Sequence, residues 1–327
     1  MAEVIIRGTG HYAPENVVSN FDLSKIVDTS DEWITTRTGI KERRITAGEN
    51  TSHIACRAAE SALKDAGITA EELDLIIVAT VTPDNVTPSV SCMLQSMLGA
   101  RKAAAFDINA ACTGFIYGLN LASMFIKGDI YNNILVVGAE TLSKIMNWQD
   151  RGTCVLFGDG AGAAIVSSST ERGVGSIIIG SDGAKGEVLQ CKALPINNPF
   201  LKEQSTEEHH SHVIMEGREV FRFATGVMVD SIEEILRREN LTPQDIKFFI
   251  PHQANLRIID YAAKKLEVDI SKFVINLERF GNTSSASIPI ALDEMNKNGL
   301  LSKGDRIIIV GFGGGLTYGA AYLQWQK

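Results

Sequence analysis

Cys112 stands in FDINAACTGFIYGLNLASMFI, Phe106 to Ile126, immediately ahead of an apolar run free of proline. A thiolate is both a strong nucleophile and an adequate leaving group, so a cysteine can take up an acyl group and release it again. His252 stands in PHQAN, and Asn282 in RFGNTSSASIP. Together they offer a thiol nucleophile, a base and a neutral hydrogen-bond donor, the parts an activated acyl-transfer site needs. Each also has an ordinary explanation. A free cysteine is commonly a small buried hydrophobe, a lone histidine a satisfied core residue, and an asparagine ahead of a helix a cap or turn residue. What separates the two readings is whether the chain brings the three together.

The elements that must position them can be read from the pattern. KAAAFDI predicts a short buried strand, and the run from Gly114 predicts a buried helix, so Cys112 falls at a strand-to-helix junction. A helix N-terminus favours the thiolate. An internal repeat then sets the frame. ITAEELDLIIVATVTPDN and LTPQDIKFFIPHQAN align Thr69 with Thr242, NILVVGAE and RIIIVGFG align Leu135 with Ile308, and Asn109 aligns with Asn282, each at an offset of 173 residues. GAGAAIV and TYGAAYL pair at a shorter offset. Each half alternates strands and helices, which predicts two α/β modules with mostly parallel sheets, residues 1–173 and 174–327, with a boundary near Arg172–Gly175. Packed face to face, such halves place Cys112, His252 and Asn282 at strand ends near their junction.

Composition narrows the classes. The chain has 327 residues, 45% hydrophobic and 21% charged, with a net charge of −8, which argues against general nucleic-acid binding but leaves room for a local basic patch. No run approaches the roughly 20 apolar residues of a membrane span, and no secretory leader follows Met1, so a cytoplasmic protein is expected. Cys56, Cys92, Cys112, Cys154 and Cys191 are too scattered for a disulfide framework or a zinc site. His209, His210 and His212 in STEEHHSHVIM read as an exposed polar loop, and no metal is expected. GDGAG and GFGGG are not dinucleotide fingerprints, since strand-like AAIVSSS follows the first.

Over its whole length the chain resembles the β-ketoacyl-acyl-carrier-protein synthase III family, which has the thiolase-like fold. The resemblance is carried by TSDEWITTRTGIKERR, DINAACTGF, WQDRGTCVLFGDGAGA, PHQANLRI, ERFGNTSSASIP and GFGGGLTYGA, in the family's order. It implies an α/β fold of two duplicated halves in an αβαβα layering. It also implies a homodimer and an acyltransferase that initiates fatty acid synthesis from an acyl-CoA primer and malonyl carrier protein. Asparagine at 282, where elongating synthases carry a second histidine, points to the initiating class, and no further cysteine stands in a thiolase-type motif.

The resemblance also implies roles. Cys112 would carry the acyl group, while His252 and Asn282 would assist decarboxylation of malonyl carrier protein. The backbone N–H groups of Cys112 and Gly314 would form the oxyanion hole. Trp33 and Arg151 would sandwich the adenine of CoA with Arg37 nearby, and Phe221 and Asn255 would line the pantetheine tunnel. Arg222, Arg257, Lys264 and Lys265 would form a docking patch for the acidic carrier protein, although a charge run is usually a solvated face. No cofactor is implied beyond the CoA substrate.

Two departures stand out. The segment 194–215 is longer than in typical members, which leaves carrier and CoA contacts there open. Thr87, in TPDNVTPSVSC, is expected to project from a fixed loop, with Pro88 in the first turn of a helix. Its family counterpart reaches the acyl pocket of the other subunit and is often phenylalanine, so threonine would admit branched or longer primers, unless a neighbour fills the gap. Two other classes compete. A secondary-metabolism acyltransferase without condensation would not consume malonyl carrier protein, and a non-catalytic partner subunit would lack the nucleophile.

Overall fold

The computed structural model describes residues 2–196, 198–201 and 211–327. In chain order its strands are β1 (Glu3–Tyr12), β2 (Val17–Ser19), β3 (Glu42–Arg44), β4 (Leu75–Ala79), β5 (Ala104–Ile108), β6 (Asn133–Glu140), β7 (Gly160–Ser169), β8 (Val174–Ser181), β9 (Leu189–Cys191), β10 (Val213–Met215), β11 (Phe248–Pro251), β12 (Arg306–Gly313) and β13 (Thr317–Gln324). Two sheets dominate, ordered β1-β7-β6-β4-β5 and β8-β13-β12-β11, with β2–β3 and β9–β10 as small ribbons. All strands of the first large sheet precede residue 170, and all of the second begin at or after Val174.

The sheets form layers two and four of a five-layer stack. The helix Thr51–Ala66 covers the outer face of the first sheet, and the helices Gly114–Lys127 and Ser287–Lys297 fill the space between the sheets. The helices Gly217–Glu239 and Leu256–Lys265 cover the outer face of the second. Strands with both faces covered must be apolar throughout, and LIIVA of β4 is buried at every position. Where the middle layer presses closest, side chains are excluded. A Cβ on Gly162 of β7 would stand 2.6 Å from Ile290 N, and one on Gly138 of β6 would run into the carbonyl of Ser285.

The 173-residue repeat is structural. Adding 173 to the bounds of β6 gives those of β12, and adding it to Gly114, where one middle helix starts, gives Ser287, where the other starts. Thr69 with Glu72 and Thr242 with Asp245 form matching capping boxes. Asn109 Oδ1 accepts from Ala111 N and Asn282 Oδ1 from Ser284 N, so the two turns ahead of the middle helices are built alike. Ala111 and Ser284 both carry positive φ, +46° and +49°.

Three expectations need correction. The sheets are mixed: β1–β7, β7–β6, β12–β13 and β13–β8 are antiparallel, and only β6–β4, β4–β5 and β11–β12 are parallel. Strands β7 and β13 turn back beside β6 and β12, the strands that precede them in the chain, so no crossover helix forces a parallel course there. Strand β5 is exposed or half-buried along its length, because it is the edge of its sheet. Pro88 lies ahead of the N-cap Ser89 of the helix Val90–Leu98, whose hydroxyl accepts from Cys92 N, so it is outside the first turn.

Candidate active site

Cys112 sits in the single turn Ala111–Thr113 that leads into the helix Gly114–Lys127, with 7% of its surface exposed. The adjoining glycine of β12 makes room for it, since a Cβ on Gly313 would stand 2.6 Å from Cys112 N. The thiol does not have the lowered pKa that a helix N-terminus alone implies. Burial pushes it up to about 12, against the opposing pull of the Ser284 hydroxyl. In the resting protein the nucleophile is a thiol.

His252 follows β11 and is held at both ends of its frame. Its backbone N–H donates to Val310 O at 2.8 Å, and its Nδ1 lies 2.7 Å from Ser287 Oγ. The ring meets Phe312 edge-on at 5.4 Å between centroids. Burial pushes its pKa down to about 3, so the imidazole is neutral at physiological pH. With Nδ1 engaged by Ser287, Nε2 is the nitrogen left to meet a substrate.

Asn282 is fixed more tightly still. Its backbone N–H donates to Leu156 O at 2.8 Å, its carbonyl accepts from Gly158 N at 3.0 Å, and its Oδ1 accepts from Ser284 N at 2.9 Å. A backbone N–H can only donate, so the side-chain oxygen is committed and the Nδ2 amide is the free end. The side chain therefore offers a donor.

Cys112, His252 and Asn282 all line one cavity of about 580 Å³, part of it open to solvent, and Phe221 and Asn255 line it too. Asn255 caps the helix Leu256–Lys265 and donates from Nδ2 to Arg37 O at 3.0 Å, tying that helix to Asp31–Thr38. Gly313 forms the wall beside Cys112, and Gly314 follows it against Ala111. Trp33 and Arg37 stand in the helix Asp31–Thr38 outside this wall, with the Arg37 and Arg151 guanidinium carbons 4.7 Å and 5.2 Å from the Trp33 ring. Arg151 also bonds Asp28 O at 3.1 Å. The two arginines already lie against the indole.

The basic residues fall into two kinds. Arg222 pairs with Glu219 and Lys264 with Asp260, whereas Arg257 lies over the Phe221 ring at 5.9 Å and Lys265 over Tyr261 at 5.8 Å. All four are exposed. Thr87 is exposed and does not line the cavity of its own chain. His209 and His210 lie outside the described residues, as does part of the 194–215 segment. Among the described residues no group of three or more metal-ligating side chains forms, and no helix is long and apolar enough to cross a membrane. Sequence reading missed Ser287, Ser284 and Phe312 as site residues; the first two stood in plain view inside NTSSASIP.

Comparison with known proteins shows the family. Residues 106–183 match the family model for 3-oxoacyl-(acyl-carrier-protein) synthase III, and residues 236–325 match the model for its C-terminal part. A β-ketoacyl-(acyl-carrier-protein) synthase III of Clostridium novyi is 59% identical over 326 residues, covering 100% of both chains. The crystal structure of 3-oxoacyl-(acyl-carrier-protein) synthase III from Aquifex aeolicus superposes with a TM-score of 0.92 at 46% identity, covering 98% of this chain and 100% of that one. The priming β-ketosynthase of the R1128 polyketide pathway also superposes at 0.92, with 36% identity, covering 100% of this chain and 97% of that one.

Proposed function

The chain belongs to the 3-oxoacyl-(acyl-carrier-protein) synthase III family, and from that premise we propose how its own residues divide the work. The enzyme initiates fatty acid synthesis by condensing an acyl-CoA primer with malonyl carrier protein, releasing CO2 and CoA and giving a 3-oxoacyl carrier protein. In our reading the Cys112 sulfur attacks the primer thioester, the C–S bond to CoA breaks, CoA leaves as a thiol with the proton that Cys112 gives up, and the acyl group rests on Cys112. Malonyl carrier protein then loses CO2. His252 Nε2–H and Asn282 Nδ2–H donate to its thioester oxygen as it takes on enolate charge. The enolate carbon attacks acyl-Cys112, the Cys112 thiolate leaves, and a proton from solvent returns it to the thiol.

The observation that carries this reading is the side-chain amide of Asn282. With Oδ1 committed to Ser284 N–H, the residue presents a donor to the cavity it shares with Cys112. The neutral state of His252 fits the same task, because a neutral imidazole protonated at Nε2 donates as well. Backbone N–H groups of Cys112 and Gly314 serve the tetrahedral intermediates of both acyl transfers. Trp33, Arg37 and Arg151 hold the adenine, Phe221 and Asn255 the pantetheine arm. Arg257 leads the carrier-protein patch, with Arg222, Lys264 and Lys265 around it. None of these steps calls on a metal or a further cofactor.

The proposal extends to assembly. The halves are 1–173 and 174–327, the active unit is a homodimer joined along the open edge of β5, and the enzyme works in the cytoplasm. Thr87 would then reach a pocket only from a second copy. The test is a panel of acyl-CoA primers with malonyl carrier protein, measuring CO2 release and 3-oxoacyl product. Consumption of primer without CO2 release would replace this reading with plain acyl transfer.

A further inference from the structure

Glu140, the last residue of β6, is fully buried at the junction of the halves, and the mechanism above does not use it. Its Oε2 receives three donors: Thr82 Oγ1 at 2.7 Å, Val81 N at 3.0 Å and Thr80 Oγ1 at 3.2 Å. The Thr80 hydroxyl in turn accepts from Thr82 N–H and the Thr82 hydroxyl from Thr141 N–H, so their protons are free to point at the carboxyl. The other oxygen, Oε1, faces Ser285 Oγ at 2.9 Å, and that same hydroxyl lies 2.8 Å from Ala79 O. Ser285 has one hydroxyl proton and two acceptors to satisfy. If Glu140 is ionised, one of those two contacts joins two acceptors with no hydrogen between them. If Oε1 carries a proton, every contact is a hydrogen bond: Glu140 donates to Ser285, and Ser285 donates to Ala79.

The surroundings agree. Glu140 forms no ion pair among the described residues. Lys144, the nearest cation on the turn that follows, bonds Thr51 Oγ1 and Thr82 O instead, each at 3.3 Å. The other titratable group facing Glu140 is the Cys112 thiol. Burial raises the carboxyl pKa, more than the hydroxyl and amide donors lower it.

We propose that Glu140 works as an uncharged carboxylic acid whose O–H holds the Thr283–Ala286 turn and so aims Asn282. Ser285 is the residue that the 173-residue repeat sets opposite Cys112, and its neighbour Ser284 supplies the N–H that fixes Asn282 Oδ1. A link from Glu140 to Ser285 therefore sets where the Asn282 donor points, which makes Glu140 a positioning residue. The inference rests on the reading of Asn282 as the decarboxylation donor.

Glu140→Gln and Glu140→Ala test it in the full-length enzyme. Glutamine reproduces a neutral acid, with its amide donating to Ser285 and its carbonyl accepting from Thr80, Val81 and Thr82. It should keep decarboxylation of malonyl carrier protein within about threefold, since every hydrogen bond is preserved. It should also leave the pH profile of Cys112 alkylation by iodoacetamide in place, because no charge is removed. Glu140→Ala frees the turn and should lose about a hundredfold in decarboxylation, the scale of a misplaced catalytic group. The infrared difference between wild type and Glu140→Gln at neutral pH should show one protonated carboxyl band lost. Absence of that band, a Gln variant as impaired as the Ala variant, or a Cys112 profile moved to lower pH in the Gln variant would each overturn the proposal. The infrared band reports on Glu140 whatever Asn282 does. Decarboxylation that survives Asn282→Ala would therefore refute the Asn282 reading without touching the protonation of Glu140.

Discussion

Replacing Asn282 with aspartate separates what the residue does for the fold from what it does for the chemistry. Aspartate keeps an oxygen where Oδ1 accepts from Ser284 N–H at 2.9 Å, so the turn should hold. It replaces the Nδ2 donor with an oxygen that, once ionised, repels the developing enolate. Loss of one such donor costs about 10²–10³ in rate, or about 2.7–4 kcal/mol, and the repulsion adds to it. Asn282→Ala should lose decarboxylation too. It also leaves the N–H of Ser284, a residue 3% exposed, without its partner, at a stability cost of about 1–3 kcal/mol. The aspartate variant should therefore melt near wild type and the alanine variant below it. A pH series sharpens the point. A carboxyl at this buried site titrates above the usual carboxylate range, and its protonated form can donate again, so decarboxylation by Asn282→Asp should recover as pH falls through that pKa. His252, pushed down to about 3, stays neutral across that window. Malonyl carrier protein decarboxylation and Cys112 acylation are measured separately across pH. An aspartate variant that decarboxylates at the wild-type rate at alkaline pH would refute the assignment of Asn282 as a donor.

Three further outcomes follow from the same geometry. Because His252 is buried neutral, with a pKa near 3 against 6.5 when unfolded, the unfolded state binds the extra proton first; the stability this residue contributes is present above about pH 6.5 and is lost as pH falls toward 3. The melting temperature of His252→Phe should thus fall less steeply than that of wild type over that window, and parallel curves would contradict it. Charge reversal at Arg257 should weaken malonyl carrier protein binding more than reversal at Lys264, which is already neutralised by Asp260 at 2.6 Å. Both effects should shrink with salt while acylation by acyl-CoA is spared, and equal, salt-independent effects would remove the patch. Thr87→Phe should shorten the accepted primer series, each methylene being worth about 1–3 kcal/mol. Since Thr87 lies outside its own cavity, the effect should vanish in any variant that is monomeric, and persistence in a monomer would contradict the cross-subunit route.

The repeat made much of the architecture legible. Leu135 and Ile308 occupy matching places in β6 and β12, and Thr69 and Thr242 matching capping boxes, because local pattern and local structure agree there. Strand direction was not legible. The small-residue runs of β7 and β13 announce close packing, but whether a strand runs parallel to its neighbour depends on partners far along the chain. Strand β5 was misjudged because KAAAFDI looks the same whether another strand covers its edge or not. The site showed the same division. Cys112, His252 and Asn282 were visible from residue type and place in the repeat. The raised thiol pKa was not, since it comes from burial by segments as distant as Gly313. Glu140 was hidden in GAETL, where nothing local marks a glutamate that three donors and a serine enclose.

The central claim, that Cys112 carries the acyl group between two half-reactions, has a direct measurement. Wild type and Cys112→Ala are each incubated with an acyl-CoA, and intact mass is recorded before and after malonyl carrier protein is added. Wild type should gain the mass of one acyl group and lose it on addition of malonyl carrier protein, while Cys112→Ala should stay unmodified throughout. An acyl adduct on Cys112→Ala, or a wild-type adduct that malonyl carrier protein does not discharge, would contradict the account.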